Sequence, residues 1–213
     1  MNKRGIAKRT AILLQTSILI LVLSGCSLSK KISNMSKVSL TPVTGYSQTG
    51  KINLKVQLML TEEMCSAVWH MNYDYDTGKA PPKNKTLDFP LGDDFCLNTR
   101  KMANTLFADV IEKRNSSSID GIDAILTPKI LTLIRNRPPG ATNEQTTTII
   151  VEWSLKDNSE DIIWVDTITA QGKAELVETQ KQVQDLFNDL FHKSFKAISS
   201  SVEIKRFALI RNH

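Results

Sequence analysis

The sharpest pattern in the chain lies between Lys51 and Leu60, where Ile52, Leu54, Val56, Leu58 and Leu60 alternate with Asn53, Lys55, Gln57 and Met59. A period of two predicts a strand with one buried face and one largely wet face. The same period returns at Ile149, Val151, Trp153 and Leu155 and again from Asp161 to Gln171, with Ile162, Trp164, Ile168 and Ala170. The polar stretch Asp157-Asn158-Ser159-Glu160 separates the two runs. Two alternating runs around a polar turn predict a hairpin, with Trp153 and Trp164 as packing anchors. Between these features, Ile122 to Ile134 is a β-branched run in which Ala124, Leu126, Ile130, Thr132 and Ile134 share one face. Pro128 has no N–H for a ladder, so it should mark a bulge or an outward-facing position. A fainter alternation at Trp69, Met71, Tyr73 and Tyr75 suits a short strand, followed by a turn at Asp76 to Lys79 and a stop at Ala80-Pro81-Pro82.

Helical spacing occurs twice. Behind Gly92-Asp93-Asp94, the residues Met102, Ala103, Leu106, Phe107, Val110 and Ile111 form one stripe, with Asn98, Arg100, Lys101, Asn104 and Asp109 on other faces. Asp93 and Asp94 suit the positive end of the helix dipole and Lys113-Arg114 the negative end. From Thr179, whose spacing to Gln182 is that of a capping box, Val183, Leu186, Phe187, Leu190, Phe191, Ser194 and Ile198 mark a second stripe, ended by Ser199 to Ser201. Val202 to Ile204 is strand-like, and the residues after it have no clear period.

Two amphipathic helices and several one-sided strands are most economically combined as an α+β fold. The expected form is a two-layer sandwich, a mixed sheet of four to five strands with both helices on one face and the other face polar and open. Residues 51–204 make this single domain, and residues 205–213 are a tail. Ser27 to Gly50 is rich in Ser, Thr and Lys with no sustained apolar period, so residues 26–50 read as a flexible tether.

The first 25 residues change the picture of where the domain works. Lys3, Arg4, Lys8 and Arg9 precede an apolar run from Ala11 to Leu23 that has secretory length and is too short for a permanent span. Residues 1–25 are thus expected to be a cleaved signal peptide. Their removal also removes the apparent basicity: the 213-residue chain has 27 basic and 22 acidic side chains, and the remainder has 23 against 22. Without a basic excess there is no electrostatic footprint for nucleic acid. Besides Cys26 there are two cysteines, Cys65 and Cys96. In an exported chain they are expected to form a disulfide rather than remain as two buried thiols.

Leu23-Ser24-Gly25-Cys26 resembles the lipobox of bacterial lipoproteins. The resemblance implies diacylglycerol and an N-acyl chain on Cys26 as the only membrane contact, the alternative being an ordinary signal peptide followed by a structural thiol. Ser27 after that cysteine implies sorting to the outer membrane, facing the periplasm. The run Phe89-Pro90-Leu91-Gly92 through the helix to Phe107, with the Trp153 and Trp164 hairpin, is similar to periplasm-facing assembly lipoproteins. These are the LPS-assembly, curli-secretion and peptidoglycan-synthase-activator types, which act by binding.

An enzyme is not expected. His70, His192 and His213 lack metal-ligand spacing, and no nucleophile elbow or phosphate-cradling loop occurs. Asp74, Asp76 and Gly78 only faintly resemble a calcium loop, with Lys85 where a closing glutamate is needed. No cofactor or metal is expected beyond the lipid. The function so implied is a non-catalytic accessory subunit of a cell-envelope complex with an envelope protein as partner. The alternative is a periplasmic carrier of a lipid, glycan or small molecule, with a pocket between the helices and Trp69 to Tyr75.

Overall fold

The computed structural model describes residues 40–46, 50–75, 83–89, 91–113, 121–136, 144–175 and 179–211. Cys26, the signal segment and the turn at Asp76 to Pro82 lie outside them. Among the described residues there are seven strands: β1 (Ile52–Met59), β2 (Trp69–Tyr75), β3 (Lys83–Phe89), β4 (Phe107–Lys113), β5 (Ala124–Asn136), β6 (Glu144–Asp157) and β7 (Ile162–Glu175). The helices are α1 (Glu62–Cys65), α2 (Gly92–Leu106), α3 (Thr179–Ser200) and α4 (Val202–Arg211).

Five strands form one mixed sheet in the order β4-β1-β5-β6-β7, and β2 pairs antiparallel with β3 as a separate hairpin. β1 is central and parallel to both neighbours, and β5, β6 and β7 follow as an antiparallel meander. The expected α+β sandwich is the fold: Phe95, Met102 and Leu106 of α2 and Val183, Leu186, Phe187, Leu190 and Phe191 of α3 share one core with Leu54, Val56, Leu58, Val151, Trp153 and Leu155. Trp153 lies between the helices, its ring 6.4 Å from Phe95 and 6.5 Å from Phe191.

Four expectations from periodicity are corrected. The first concerns α2, which ends at Leu106, so Val110 and Ile111 belong to β4 rather than to the helical stripe. Phe107 closes the helix and opens the strand without a loop, pairing with Ile52. The β-branched pair Val110-Ile111 hydrogen-bonds along a β1 edge that would otherwise be bare. Glu112 consequently reaches back to Arg100 in a two-pronged ion pair of 2.5 and 2.8 Å.

The second concerns Pro128, which is buried on the core face opposite Trp153. Pairing of β5 with β1 stops at Leu126, so the missing proline N–H falls where that partner has ended. The bulge comes later, between Ile130 and Thr132. An extra residue there inverts the alternation, so Leu133 packs on the core while Leu131 and Ile134 are exposed. The third correction is that the far sheet face is not uniformly polar and open: Gln57 is buried there, flanked in register by Ile111 and Ile125.

The fourth concerns the tail, most of which is helix. Ser201, read as part of a stop, also starts α4, its Oγ accepting from the Ile204 N–H at 3.2 Å and donating to Glu203 at 2.7 Å.

Two local devices fix the layers. Cys65 of α1 and Cys96 of α2 are joined by a disulfide across a separation of 31 residues, closing the loop that carries the β2-β3 hairpin. A loop of that length contributes about 3.5 kcal/mol on the chain-entropy model. Gly92 lets α2 begin against the Cys65 and Met64 carbonyls, where a Cβ would have no room. On the other side, α3 covers part of the β7 edge: Asp189 accepts from the Gln171 N–H at 3.0 Å, and Lys193 donates to the Thr169 carbonyl at 3.0 Å. Gln182 also joins the two, its amide donating to the Gly172 carbonyl at 3.3 Å; the Thr179 side chain of the expected capping box lies outside the described residues.

The close approach of α3 to β7 requires Gly172, because a Cβ there would overlap the Gln182 carbonyl oxygen and crowd Leu186. Gly172→Ala should therefore destabilise the domain by about 2 kcal/mol, lowering the thermal midpoint by roughly 6 °C. An unchanged melt would show that the helix can step away freely. Separately, Cys65 and Cys96 should resist alkylation in denatured, unreduced protein; rapid labelling under those conditions would exclude the disulfide.

Candidate functional site

The segment nearest the lipobox within the described residues is 40–46, assigned by composition to the tether. It is instead a strap packed on both helices. Leu40 and Val43 are buried and Tyr46 is half-buried, so the inward residues recur every third position. That is the period of an extended polyproline-like chain, which neither a helix nor a strand template detects.

Polar contacts fix the strap at each step. The Thr41 N–H donates to Gln184 Oε1 at 2.7 Å, and Gln184 Nε2 returns a bond to the Thr41 carbonyl at 2.9 Å. The Val43 N–H donates to Asn98 Oδ1 at 2.7 Å in a buried position, and Asn98 is anchored by donating to the Asp94 carbonyl at 2.8 Å. Asn98 lies off the apolar stripe, yet it is buried because the strap covers it. His192 is exposed, with one ring nitrogen 2.7 Å from the Asn188 carbonyl and the other 3.1 Å from the Thr44 carbonyl. A neutral ring, having one N–H, can donate to only one of these oxygens. Gly45, at φ 84°, turns the strap so that Tyr46 stacks on Phe195 with ring centres 4.8 Å apart.

Strap and α2 enclose a shallow groove of about 440 Å³. Val43, Thr44, Gly45 and Tyr46 form one wall, and Arg100, Lys101, Asn104 and Thr105 form the other. This lining has positive charge, hydroxyls and an amide but no carboxylate, thiol or imidazole. Arg100 is already committed to Glu112, whose hydrogen bond raises the guanidinium above its ordinary value. The Tyr46 hydroxyl is buried with no hydrogen-bond partner, and burial pushes its pKa well up.

Among the other expected site residues, the side chains of His70 and of Trp69 to Tyr75 lie outside the described set, as do Asp76 and His213. The sequence-predicted pocket between the helices and Trp69 to Tyr75 therefore rests on side chains outside that set. Among the described residues no three His, Cys, Asp or Glu side chains gather as a metal site, and no helix is long and apolar enough to cross a membrane.

No protein-family model matches the chain, and no curated protein matches its sequence. Solved structures do resemble it. Protein XCC0632 from Xanthomonas campestris, of the DUF330 family, aligns with TM-score 0.54 and 11% identity over 81% of this chain and 96% of that one. A minor lipoprotein from Acinetobacter baumannii aligns with TM-score 0.45 and 15% identity over 71% of this chain and 94% of that one. The first likeness is one of fold alone. The second falls below the score at which a shared fold follows.

Asn98→Ala should leave the Val43 N–H unpaired and buried, destabilising the domain by about 1 to 3 kcal/mol and opening the strap to proteolysis near Val43. Tyr46→Phe should be neutral or mildly stabilising, since it removes an unpartnered buried hydroxyl. Equal melting temperatures and protease patterns for wild type and Asn98→Ala would show that the strap is not held this way.

Proposed function

We propose that this protein is an envelope lipoprotein, held at the outer membrane by acyl chains on Cys26 and facing the periplasm. In this reading it serves as a non-catalytic accessory subunit that binds another envelope protein. The observation that carries it is the lipobox Leu23-Ser24-Gly25-Cys26 placed a short distance before a strap that docks onto a disulfide-closed domain. Export supports the disulfide, and the packed strap gives the anchor a defined point of attachment.

The partner surface best supported is the sheet face opposite the helices, where Ile134, Ile150 and Val165 stand outward among Thr132, Thr148, Thr167 and Thr169, with Lys129 beside Glu152 between them. Ile134 and Val165 are 47% and 50% exposed, a mixed surface of apolar, hydroxyl and charged side chains suited to protein contact. The groove beside the strap is shallow and cationic along α2, unlike the enclosed apolar cavity that a lipid carrier requires.

Cys26→Ser should abolish incorporation of labelled fatty acid, and persistent label would sink the lipoprotein reading. In-cell crosslinking from Val165, followed by mass spectrometry, should yield one dominant envelope protein. Recovery of lipid or glycan without a protein adduct would favour the carrier instead.

A further inference from the structure

α4 is apolar on two opposite sides. Ile204 and Ala208 face the core and Phe207 packs against it, while Val202, Leu209 and Ile210 are 71%, 64% and 67% exposed. At 100° per residue, the outward arc runs Lys205, Leu209, Val202, Arg206, Ile210. Lys205 thus borders the apolar strip on one side and Arg206 divides it, with Glu203 next beyond Ile210 on the other. Arg211, at the helix end, lies on the side away from Val202, its guanidinium 5.2 Å from the Phe207 ring centre. Glu203 is the one carboxylate on the helix, and its hydrogen bond with Ser201 holds it beside the cap. In a chain whose net charge after residue 25 is close to zero, this face sets Lys205 and Arg206 among exposed aliphatic side chains.

We propose that the outward face of α4 is a membrane-contact surface for the headgroups and upper acyl region of an anionic phospholipid bilayer. Aliphatic side chains between Lys and Arg are what an interfacial helix presents: the former enter the acyl boundary while the latter meet lipid phosphates. A protein partner burying the same strip would have to desolvate Lys205 and Arg206 or supply carboxylates for them, whereas an anionic bilayer supplies the countercharge over the whole surface. Chain length permits the contact. Fourteen residues from Cys26 to Leu40 can extend about 46 Å, and the Gln184 contact of the strap lies roughly 27 Å along α3 from the start of α4. The proposal rests on the lipoprotein reading only for delivery of the helix to a bilayer.

The test uses the full acylated protein in vesicles of phosphatidylcholine alone or with phosphatidylglycerol. An environment-sensitive fluorophore is attached through Leu209→Cys or, separately, Ile210→Cys, with Thr167→Cys on the sheet as control. The Cys65–Cys96 bond and acylated Cys26 leave the introduced thiol as the reactive one; label found at Cys26 by mass spectrometry would instead report failure of the anchor reading. With phosphatidylglycerol, emission from the α4 positions should shift to the blue and resist an aqueous quencher, while the control stays water-like. Lys205→Gln with Arg206→Gln should lower the shielded-to-open ratio roughly 30-fold at low salt. The proposal is overturned by water-like emission at both α4 positions, by equal shielding in phosphatidylcholine alone, or by shielding that grows with protein concentration without anionic lipid, which would indicate a second copy on this face.

Discussion

The two helices share one sheet face because Trp153 gives them a common surface. α2 and α3 are separated in sequence by most of the sheet, yet Phe95 and Phe191 both pack on its ring and lie 5.7 Å from each other. Large aromatic burial of this kind dominates a core of this size. It also carries a cost, since the Trp153 Nε1 is buried without a hydrogen-bond partner. That cost is offset by the apolar area that the indole ring buries against Phe95 and Phe191.

Around this centre, the fold controls its edges with side chains as well as strands. β4 covers one flank of β1, and Asp189 and Lys193 supply to β7 the acceptor and donor that a neighbouring strand would have offered. The two residues also pair with each other at 2.7 Å, so each holds the other in position. Such substitution blunts that part of the sheet as a template for another chain. On the sheet face opposite the helices, Ile134 and Val165 remain exposed.

What the sequence revealed depended on whether one periodicity was available. β1 and the β6-β7 hairpin were legible because alternation there competes with no helical pattern. The stripe through Met102, Leu106, Val110 and Ile111 fits a helix equally well beyond Leu106, and only the need of β1 for a partner decides the boundary. β3 was missed because Lys83 to Phe89 carries almost no apolar alternation. α4 has no single apolar face, so no stripe announces it, although Ser201 three residues before Ile204 is a cap signal. At the candidate site, the spacing of Leu40, Val43 and Tyr46 was the missed clue. Asn98 could not have been assigned without knowing that a distant segment crosses it. Cys65 and Cys96 were legible from compartment and parity, whereas the lipid on Cys26 rests on resemblance.

The strap has a mechanical consequence. Its contacts advance from Gln184 through His192 to Phe195 as the strap advances from Thr41 to Tyr46. Eleven residues of helix rise about 16 Å, and five residues of extended chain cover nearly the same length. The strap therefore runs alongside α3, and a pull applied at its Leu40 end acts along the helix axis. Under that load the Gln184, Asn98 and His192 contacts are sheared together instead of peeled one by one. Tension along the strap would be spread over both helices before any strand of the sheet felt it.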